Sequence, residues 1–549
     1  MMQPSVSRRT PTWIFAVAIL GCIFQLIWFG LKCFNQIDYD GMAYTGIARH
    51  LHQGEFHSAI NAFRSPLLSW LIAAASFAHA DYLHIGKFIN VASFLLSFVL
   101  LYRFAESLWH SRLASSLAVL LFALGRGLAA ASVEMITPDF LFGALVLIYF
   151  IVLLRCLRDA RAKDWFSLGT VHGLAFLAKA FALPWLALCT LVGVILSDGS
   201  WRARAVRLAS AALIPVIVAS AWATVLHSKY GVFTTGSQFK TNLLQWTLRA
   251  YREHHDPTYA LLTDTTKVVD EYIVDDPMPP GAWPWTYHVG IKQALPKLML
   301  AEANNVPRVL KEMMIVVTPG GLIAFMASVA IVTRRRHRYP VEWRVVTVIA
   351  VGAISLVCAY SMLVFDSRYL YPLIPLVLAV AARFLIPDAD WNHNGWRTIA
   401  IVLAILGVIT SMVYRASPFR TLTRDFQVVC YDAGRRLKTH MGSGLVSIGS
   451  GPFPEHGVGW EAGYKAAYFG NRKLVADLED LPSPDVTAQV LADIAKASPD
   501  AVIVWGDPQN ARYLSFVRSF ALQYSNGASE KISDPVRGEA GTVFFRSSE

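Results

Sequence analysis

A succession of apolar runs, each able or nearly able to cross a lipid bilayer, constrains this chain more than any other feature. A spanning helix needs roughly 20 apolar residues, with a range of about 17–25. The runs are 13–33, 86–107, 113–131, 140–154, 168–182, 184–197, 208–226, 311–333, 345–364, 369–386 and 398–414. They predict an α-helical polytopic membrane protein with about 11 transmembrane helices. Two short runs, 168–182 and 184–197, are compatible with one hydrophobic hairpin around Pro184.

The composition agrees with a membrane protein and excludes several other classes. Hydrophobic residues make up 55% of the chain and charged residues only 16%, against about 25% charged in ordinary soluble domains. The six cysteines form no CxxC pair and no Cys/His cluster, which argues against a disulfide framework and a zinc site. The bases lie in small groups between the apolar runs rather than on one face, so nucleic acid is not an expected partner.

The distribution of these bases predicts the orientation of the chain. Basic clusters fall at 155–163, 202–207 and 334–338, and the positive-inside rule places them on the cytoplasmic side. The segments predicted on the outer side are 35–84, 134–139, 227–310 and the C-terminal tail. We therefore expect a protein of the cytoplasmic (inner) membrane whose polar face and tail lie on the periplasmic side.

The outer segment 35–84 contains two stretches that predict helices in the membrane interface. Residues 65–77 are apolar but too short to span. In residues 41–53, an apolar face repeats at helical spacing through Tyr44, Ile47 and Leu51. Asp40 precedes this helix at the position expected for an N-cap.

The C-terminal part, 415–549, reads as a separate small α/β domain beside a membrane domain of residues 1–414. It is less apolar, and its 15 Lys+Arg and 15 Asp+Glu balance. Residues 445–449, 501–505 and 541–545 look like short buried strands, and 489–498 has a helical pattern. No Gly-rich nucleotide-binding loop follows the first two strands.

The predicted topology brings ionisable residues from distant segments to the outer membrane face. They are the acids Asp38, Asp40, Glu134, Asp139 and Asp366, and the bases Arg49, Arg64, Lys87, Arg126, Lys179 and Arg368. Charged groups beside spanning helices are costly, so they usually pair with one another or serve a substrate. The pattern predicts a polar chamber at the outer interface, open to lipid.

Each of the acids has a structural and a functional interpretation. Asp40 is explained equally well as an N-cap or as a general base that accepts a proton from a hydroxyl. Asp38 and Asp40 form an Asp-x-Asp pattern that can bind a divalent metal, although so short a pattern often occurs by chance. Asp139 opens an apolar run, where the helix dipole favours an acid.

The bases have the same two interpretations. Arg64 is explained by snorkelling to the headgroup layer, and Arg368 by an ion pair with Asp366. Lys179 lies inside an apolar run, where a lysine needs an anion or water. Three bases converging on one chamber would suit a phosphate, which arginine binds with two nitrogens and lysine as a point charge.

Five short motifs carry a family resemblance. They are Asp40-Gly-Met-Ala-Tyr44, Arg64-Ser-Pro-Leu, Pro138-Asp139, Gly173-Leu-Ala-Phe-Leu-Ala-Lys179 and Arg368-Tyr369-Leu-Tyr-Pro372. In this order they resemble the GT-C membrane glycosyltransferases that use polyprenyl-phosphate sugars. Relatives include the lipid A aminoarabinose transferases, the RgtA/B/C/D-like enzymes and the protein O-mannosyltransferases. This chain departs from the family at Gly41, where a glutamate usually follows the aspartate.

The resemblance implies an inverting sugar transfer from a polyprenyl-phosphate-linked donor to a hydroxyl of an envelope lipid, glycan or protein. Asp40 would be the catalytic base, with Asp139 and Asp38 as accessory acids. The donor phosphate would be bound by Lys179, Arg368 and Arg64. Tyr44 and Tyr369 would shape the substrate site. The resemblance implies no required metal or other cofactor.

Two other functions remain open from the residues. One is a membrane transporter or lipid flippase with a charged outer chamber, which inverted repeats and paired broken helices would favour. The sequence contains neither feature. The other is a non-catalytic scaffold whose outer tail binds a partner; in that case Asp40 and Lys179 could be replaced without loss of function.

Overall fold

The structure is a computed structural model of the chain. It describes residues 12–33, 35–78, 81–125, 127–243, 291–317, 319–362, 366–384, 421–440, 444–448, 462–470, 473–478, 492, 494, 499–506, 510–524, 529–534 and 538–546.

The N-terminal three quarters of the described chain are helical. The helices are α1 (Thr12–Cys33), α2 (Tyr39–His52), α3 (Phe56–Ala59), α4 (Leu67–Ala75), α5 (Tyr82–Trp109), α6 (Arg112–Leu124), α7 (Leu128–Glu134), α8 (Asp139–Asp159), α9 (Ala162–Ala178), α10 (Ala182–Leu196), α11 (Trp201–Tyr230), α12 (Gln238–Asn242), α13 (Ile291–Val316), α14 (Pro319–Arg334), α15 (Glu342–Ser361) and α16 (Ile374–Ala381). Two short 3-10 turns cover Ser76–Ala78 and Ser367–Leu370. A polytopic helical protein is therefore confirmed.

Several of the described helices can cross a membrane. Among the described residues, 5 helices are long and apolar enough to do so, or up to 7 if each of two bent helix pairs is one span. The bend between α6 and α7 is 57°, and that between α13 and α14 is 98°. The predicted run 398–414 lies outside the described residues, so the count of about 11 stays a prediction.

The chain turns between α9 and α10 at Lys179, not at Pro184 as the hairpin interpretation expected. Lys179 has an extended backbone, with φ −153° and ψ 117°. Pro184 is the third residue of α10, and a proline in a first helical turn removes no helical hydrogen bond. The Ala180 N–H, freed by the turn, donates to Ser65 Oγ at 3.0 Å.

Close helix packing holds α9 against α11. A methyl group on Gly169 would collide with the carbonyl oxygen of Ala211. Small residues at such a crossing let two backbones approach, which is how helices associate in lipid. The core continues through α5, α8, α10, α15 and α16, with Phe98, Tyr149 and Trp165 fully buried.

The helices predicted in the first outer segment are present as α2 and α4. The N-cap of α2 is Asp38 rather than Asp40, which lies in the first helical turn. The Asp38 side chain makes no hydrogen bond to the N–H groups of its own helix. Ser69 Oγ in α4 donates to the Tyr44 carbonyl oxygen in α2 at 2.9 Å, so the two helices are tied together.

The C-terminal part forms a five-stranded sheet in the order β2-β1-β3-β5-β4. The strands are β1 (Gly444–Ile448), β2 (Lys473–Leu478), β3 (Ala501–Trp505), β4 (Ser529–Asp534) and β5 (Gly538–Phe545). β1 pairs in parallel with β2 and β3, whereas β5 is antiparallel to β3 and β4. The predicted strands are β1, β3 and β5; β2 and β4 were not predicted. The predicted helix 489–498 lies mostly outside the described residues.

Helices cover both faces of this sheet, so the domain has three layers. They are α17 (Thr421–Lys438), α18 (Ala462–Gly470) and α19 (Ala511–Tyr524). Val429 and Leu437 of α17 pack on one face, and Phe516 and Phe520 of α19 on the other. A small α/β domain is therefore confirmed.

Helix α18 also joins the sheet domain to α2 and α4 of the membrane part. Its Tyr468 and Phe469 share an apolar cluster with Tyr44 and Ile72. The Arg49 guanidinium in α2 lies 5.7 Å from the ring centroids of both Tyr82 and Tyr468. The C-terminal domain therefore packs directly against the helix that carries Asp40.

Candidate active site

Asp40 is held between two arginines that come from opposite ends of the membrane part. Its Oδ1 lies 2.7 Å from Arg64 Nη1, and its Oδ2 accepts a hydrogen bond from Arg368 Nη1. The Asp40 side chain is 15% exposed. Both carboxylate oxygens therefore have a cationic partner, while the group remains accessible.

Arg64 is positioned by a compact turn before α4. Asn61 Oδ1 accepts from the backbone N–H groups of Phe63 and Arg64, at 2.8 and 2.7 Å, as asparagine commonly does in turns. Tyr230 at the end of α11 donates from its hydroxyl to the Ile60 carbonyl oxygen at 3.1 Å. The turn is thus fixed from both sides.

Arg368 is positioned by the acid two residues before it. Asp366 Oδ1 accepts from the Arg368 backbone N–H at 3.1 Å, and Asp366 Oδ2 lies 3.0 Å from Arg368 Nε. The predicted ion pair with Asp366 therefore exists alongside the contact with Asp40. The Nε atom of Arg368 therefore faces Asp366, and its Nη1 atom faces Asp40.

Asp139 and Lys179 form a second, more deeply buried pair. Lys179 Nζ donates to Asp139 Oδ1, and these side chains are only 7% and 3% exposed. The ammonium also lies 4.7 Å from the ring centroid of Tyr369 and 5.8 Å from that of Tyr360. Tyr360 and Tyr369 stack with centroids 4.3 Å apart, so they form an aromatic wall beside the lysine.

Asp38 and Asp40 are perturbed in opposite directions. Burial alone raises the pKa of Asp40, but the charges of Arg368, Arg64 and Lys179 and the hydrogen bond from Arg368 outweigh it. The pKa of Asp40 is therefore held well below its usual range. Burial, followed by the charge of Asp40, raises the pKa of Asp38 to about 6, despite its hydrogen bond from the Ile136 N–H.

The structure brings the eight predicted site residues into one region. They are Asp38, Asp40, Tyr44, Arg64, Asp139, Lys179, Arg368 and Tyr369. Their functional roles stay predictions.

Two other predicted bases have partners away from Asp40. Arg49 faces Tyr82 and Tyr468, and Lys87 donates to the Cys33 carbonyl oxygen. Arg126 lies outside the described residues. Within the described ranges, no group of three or more His, Cys, Asp or Glu residues could hold a metal ion.

Tyr360 is a site residue that the sequence analysis missed. It lies near the end of α15, within the predicted run 345–364, where an aromatic residue is also common as an interfacial anchor. Only the packing of α15 against the turn at Ser367–Leu370 distinguishes it from such an anchor.

One protein-family model and several solved structures are similar to this chain. A family model described as dolichyl-phosphate-mannose-protein mannosyltransferase matches residues 64–224. ArnT from Cupriavidus metallidurans bound to undecaprenyl phosphate has a TM-score of 0.53 at 13% identity, covering 98% of each chain. The chain has the GT-C glycosyltransferase fold. The match of the family model covers Arg64, Asp139 and Lys179, whereas Asp40 and Arg368 lie outside it.

Two further solved structures match 97% of this chain. ArnT in the apo state matches with a TM-score of 0.50 at 12% identity, covering 97% of each chain. An oligosaccharyltransferase from Archaeoglobus fulgidus, tethered with an acceptor peptide, has a TM-score of 0.49 at 12% identity, covering 97% of this chain and 74% of its own. Among curated protein sequences, none matches this chain significantly. The family-model match is confined to residues 64–224, whereas the likeness to ArnT extends over 98% of the chain and shows a shared membrane-protein fold.

Proposed function

We propose that this chain transfers a sugar, with inversion, from a polyprenyl-phosphate-linked donor to a hydroxyl of an envelope acceptor. The acceptor is a lipid, glycan or protein at the outer face of the cytoplasmic membrane. The observation that supports this proposal most directly concerns Asp40. Its carboxylate is partly exposed, and an arginine contacts each of its two oxygens. ArnT, which shares the fold, has been crystallised with undecaprenyl phosphate bound, and this supports a lipid-phosphate donor.

In the proposed reaction, the acceptor hydroxyl loses its proton to Asp40 as its oxygen attacks the anomeric carbon. The bond between that carbon and the donor phosphate oxygen breaks, and the polyprenyl phosphate leaves with the electron pair. Its charge grows by one unit in this step. Arg368 and Arg64 stabilise that charge, and such stabilisation is commonly the largest part of enzymatic rate enhancement.

The ion pairs of Asp40 weaken it as a base, and donor binding would restore its basicity. A carboxylate whose pKa is held well below its usual range is a weak base. A donor phosphate competes for the same guanidinium nitrogens, since arginine binds phosphate as readily as carboxylate. When the arginines turn to the phosphate, the proton affinity of Asp40 rises. The base is thus activated only when the donor is in place.

Lys179 is the third proposed phosphate ligand, but Asp139 already neutralises it. Its contribution therefore requires either a shared contact with the phosphate or a partner exchange. Asp139 in this proposal holds the lysine in place until the donor arrives.

The proposal is tested by mass spectrometry of envelope lipids, glycans and proteins from cells with and without this gene. Cells lacking the protein should lose one sugar from one acceptor class. The wild-type gene should restore it, whereas Asp40→Asn, expressed at the same membrane level, should not. An unchanged envelope, or full restoration by Asp40→Asn, would reject the proposal. Loss of a transported lipid rather than of a sugar would favour the flippase alternative.

A further inference from the structure

Gly41, in the first turn of α2, is enclosed on the side that faces Asp38. A methyl group built on Gly41 would lie 2.6 Å from Asp38 Oδ1, and 3.1 Å from both Ile136 Cβ and Ile37 Cγ1. The first distance is far shorter than a carbon–oxygen contact. The Asp38 carboxylate therefore occupies the space that any larger residue at position 41 would need.

The Asp38 carboxylate is used across the fold rather than within its own helix. An aspartate at an N-cap usually accepts from the N–H two or three residues later. Asp38 Oδ1 instead accepts from the backbone N–H of Ile136 at 2.8 Å, 98 positions along the chain. The absence of a side chain at Gly41 leaves the path for this contact open.

Ile136 belongs to the short segment between α7 and α8, three residues before Asp139. Its side chain is fully buried, and the preceding carbonyl, that of Met135, accepts from Asn90 Nδ2 at 2.6 Å. The contact between Asp38 and Ile136 consequently links the first turn of α2, which carries Asp40, to the segment that leads to Asp139.

Asp38 also places a second carboxylate beside Asp40. The charge of Asp40 is the second largest cause that raises the pKa of Asp38 to about 6. Coupling between two charges is mutual, so an ionised Asp38 raises the proton affinity of Asp40 in return. This opposes the two arginines that weaken Asp40 as a base.

We propose that Asp38 and Gly41 act as one positioning unit for Asp40. Gly41 provides the space, and Asp38 fills it, fixing the Ile136 segment and supplying a negative charge that strengthens the neighbouring base. This inference rests on the proposed function, since it assigns Asp38 a role through Asp40 rather than on the substrate.

The spatial half of the proposal is tested by thermal unfolding of the full-length protein in detergent. Alanine is normally a better helix former than glycine, yet Gly41→Ala should lower Tm by a few degrees. Gly30→Ala is the matched control, because a methyl group on Gly30 in α1 meets nothing within 4 Å. It should leave Tm unchanged or raise it.

A double-mutant comparison isolates the contact. An Asp38→Ala background removes the 2.6 Å contact and leaves only the two 3.1 Å contacts with Ile136 and Ile37. Gly41→Ala should therefore lower Tm by less than half as much as in the wild type. Asp38→Asn keeps an oxygen for the Ile136 N–H and should have a Tm close to that of the wild type. Equal losses from Gly41→Ala in both backgrounds, or no loss in either, would overturn the proposal.

The charge half is tested by sugar transfer in membrane vesicles between about pH 5 and about pH 8. Wild-type transfer should fall as the pH drops through about 6, where Asp38 becomes protonated. Arg368, Lys87 and Glu134 also interact electrostatically with Asp38, so the loss of the step in Asp38→Asn is what assigns it to Asp38. Asp38→Asn should be slower by about tenfold at neutral pH and should lack this step. A step of unchanged size and midpoint in Asp38→Asn would show that Asp38 acts by shape alone and would overturn the charge role.

The failure of this inference can be told apart from the failure of the proposed function. If wild-type vesicles transfer no sugar, the proposed function is wrong, and the Tm values still decide whether Asp38 and Gly41 act together. If the wild type is active but the Tm losses are additive, only the positioning unit is wrong.

Discussion

Asp40 and Asp139 are both paired with cations in one region of the molecule, but their surroundings differ. Asp40 is 15% exposed and shares its two oxygens between Arg64 and Arg368. Asp139 is 3% exposed and is closed off with Lys179. A partly open carboxylate with arginine partners can exchange them for an incoming anion. A buried pair leaves an uncompensated charge when it opens, unless an incoming anion replaces the carboxylate beside the lysine.

This difference separates two uses of an ion pair. In the proposed function, the Asp40 cluster holds cationic groups ready for the donor phosphate, and these ion pairs weaken Asp40 as a base until the donor binds. The Asp139–Lys179 pair fixes the turn between α9 and α10 to the start of α8. We therefore expect substitutions in the first cluster to act mainly on transfer and binding. Substitutions in the second should act first on stability, with any loss of the Lys179 contact to the donor phosphate as a further effect.

The largest effect is expected from Asp40→Asn. General base catalysis typically contributes about 10²–10⁴-fold, so sugar transfer should fall by that factor. Binding of undecaprenyl phosphate should become tighter, because the arginines lose the carboxylate that competes with the phosphate. Transfer is measured in membrane vesicles and binding with the purified protein. Weaker binding by Asp40→Asn would contradict the proposed partner exchange.

The second largest effect concerns the buried pair. Asp139→Asn or Lys179→Met alone should cost about 3–5 kcal/mol of folding stability, since each leaves the partner charge buried and unpaired. The double substitution should recover most of this loss. Thermal unfolding of the two single variants and the double variant measures the coupling, and strictly additive losses would show that the two charges do not depend on each other. A double variant that is stable but inactive would add support for Lys179 as a phosphate ligand.

A smaller effect is expected for Arg368→Ala in donor binding. Loss of a charged hydrogen bond should weaken binding of undecaprenyl phosphate by about ten- to a hundredfold. Arg383→Ala is the matched control. It also removes one arginine, but that arginine donates to the Tyr339 hydroxyl, at 2.9 Å from its Nη2. Equal weakening by both substitutions would indicate a general loss of positive charge rather than a specific site.

The smallest effect is expected for Asp366→Asn. The Asp366 side chain is 41% exposed, and an ion pair with that exposure contributes about 0–1 kcal/mol. Asparagine retains an oxygen for the Arg368 N–H, so transfer should change by no more than about fivefold. A loss as large as that of Asp40→Asn would mean that Asp366, and not Asp40, accepts the proton.

Much of the helical framework was predictable because bilayer thickness sets a minimum length for an apolar run. The predicted runs 140–154 and 208–226 lie within α8 and α11. The sequence analysis placed this turn at Pro184, whereas it lies at Lys179. A proline is compatible with the first turn of a helix as well as with a break between helices, so its position alone does not locate the turn.

In the sheet domain, too, the sequence predicts some elements and misses others. β3 is a continuous apolar run, and β1 and β5 contain the short apolar stretches 445–446 and 543–545, which predict these strands. β4 is Ser529-Glu-Lys-Ile-Ser-Asp534, a polar strand that pairs with β5 at the edge of the described sheet. Its sequence resembles a loop, because an edge strand needs little burial and charged residues there discourage pairing with other chains.

The sequence alone determined that this chain is a helical membrane protein with an α/β tail, and it singled out Asp40, Arg64, Lys179 and Arg368. Apolar length, charge placement and short motifs are local properties that can be read along the chain. Tertiary structure decided how these residues pair. It joined Asp40 to Arg368 across 328 positions and turned Asp38 onto Ile136. The charge alternation along the chain predicted that these residues share one face of the membrane. Which of them pair depends on how the helices pack, and no local pattern encodes those individual contacts.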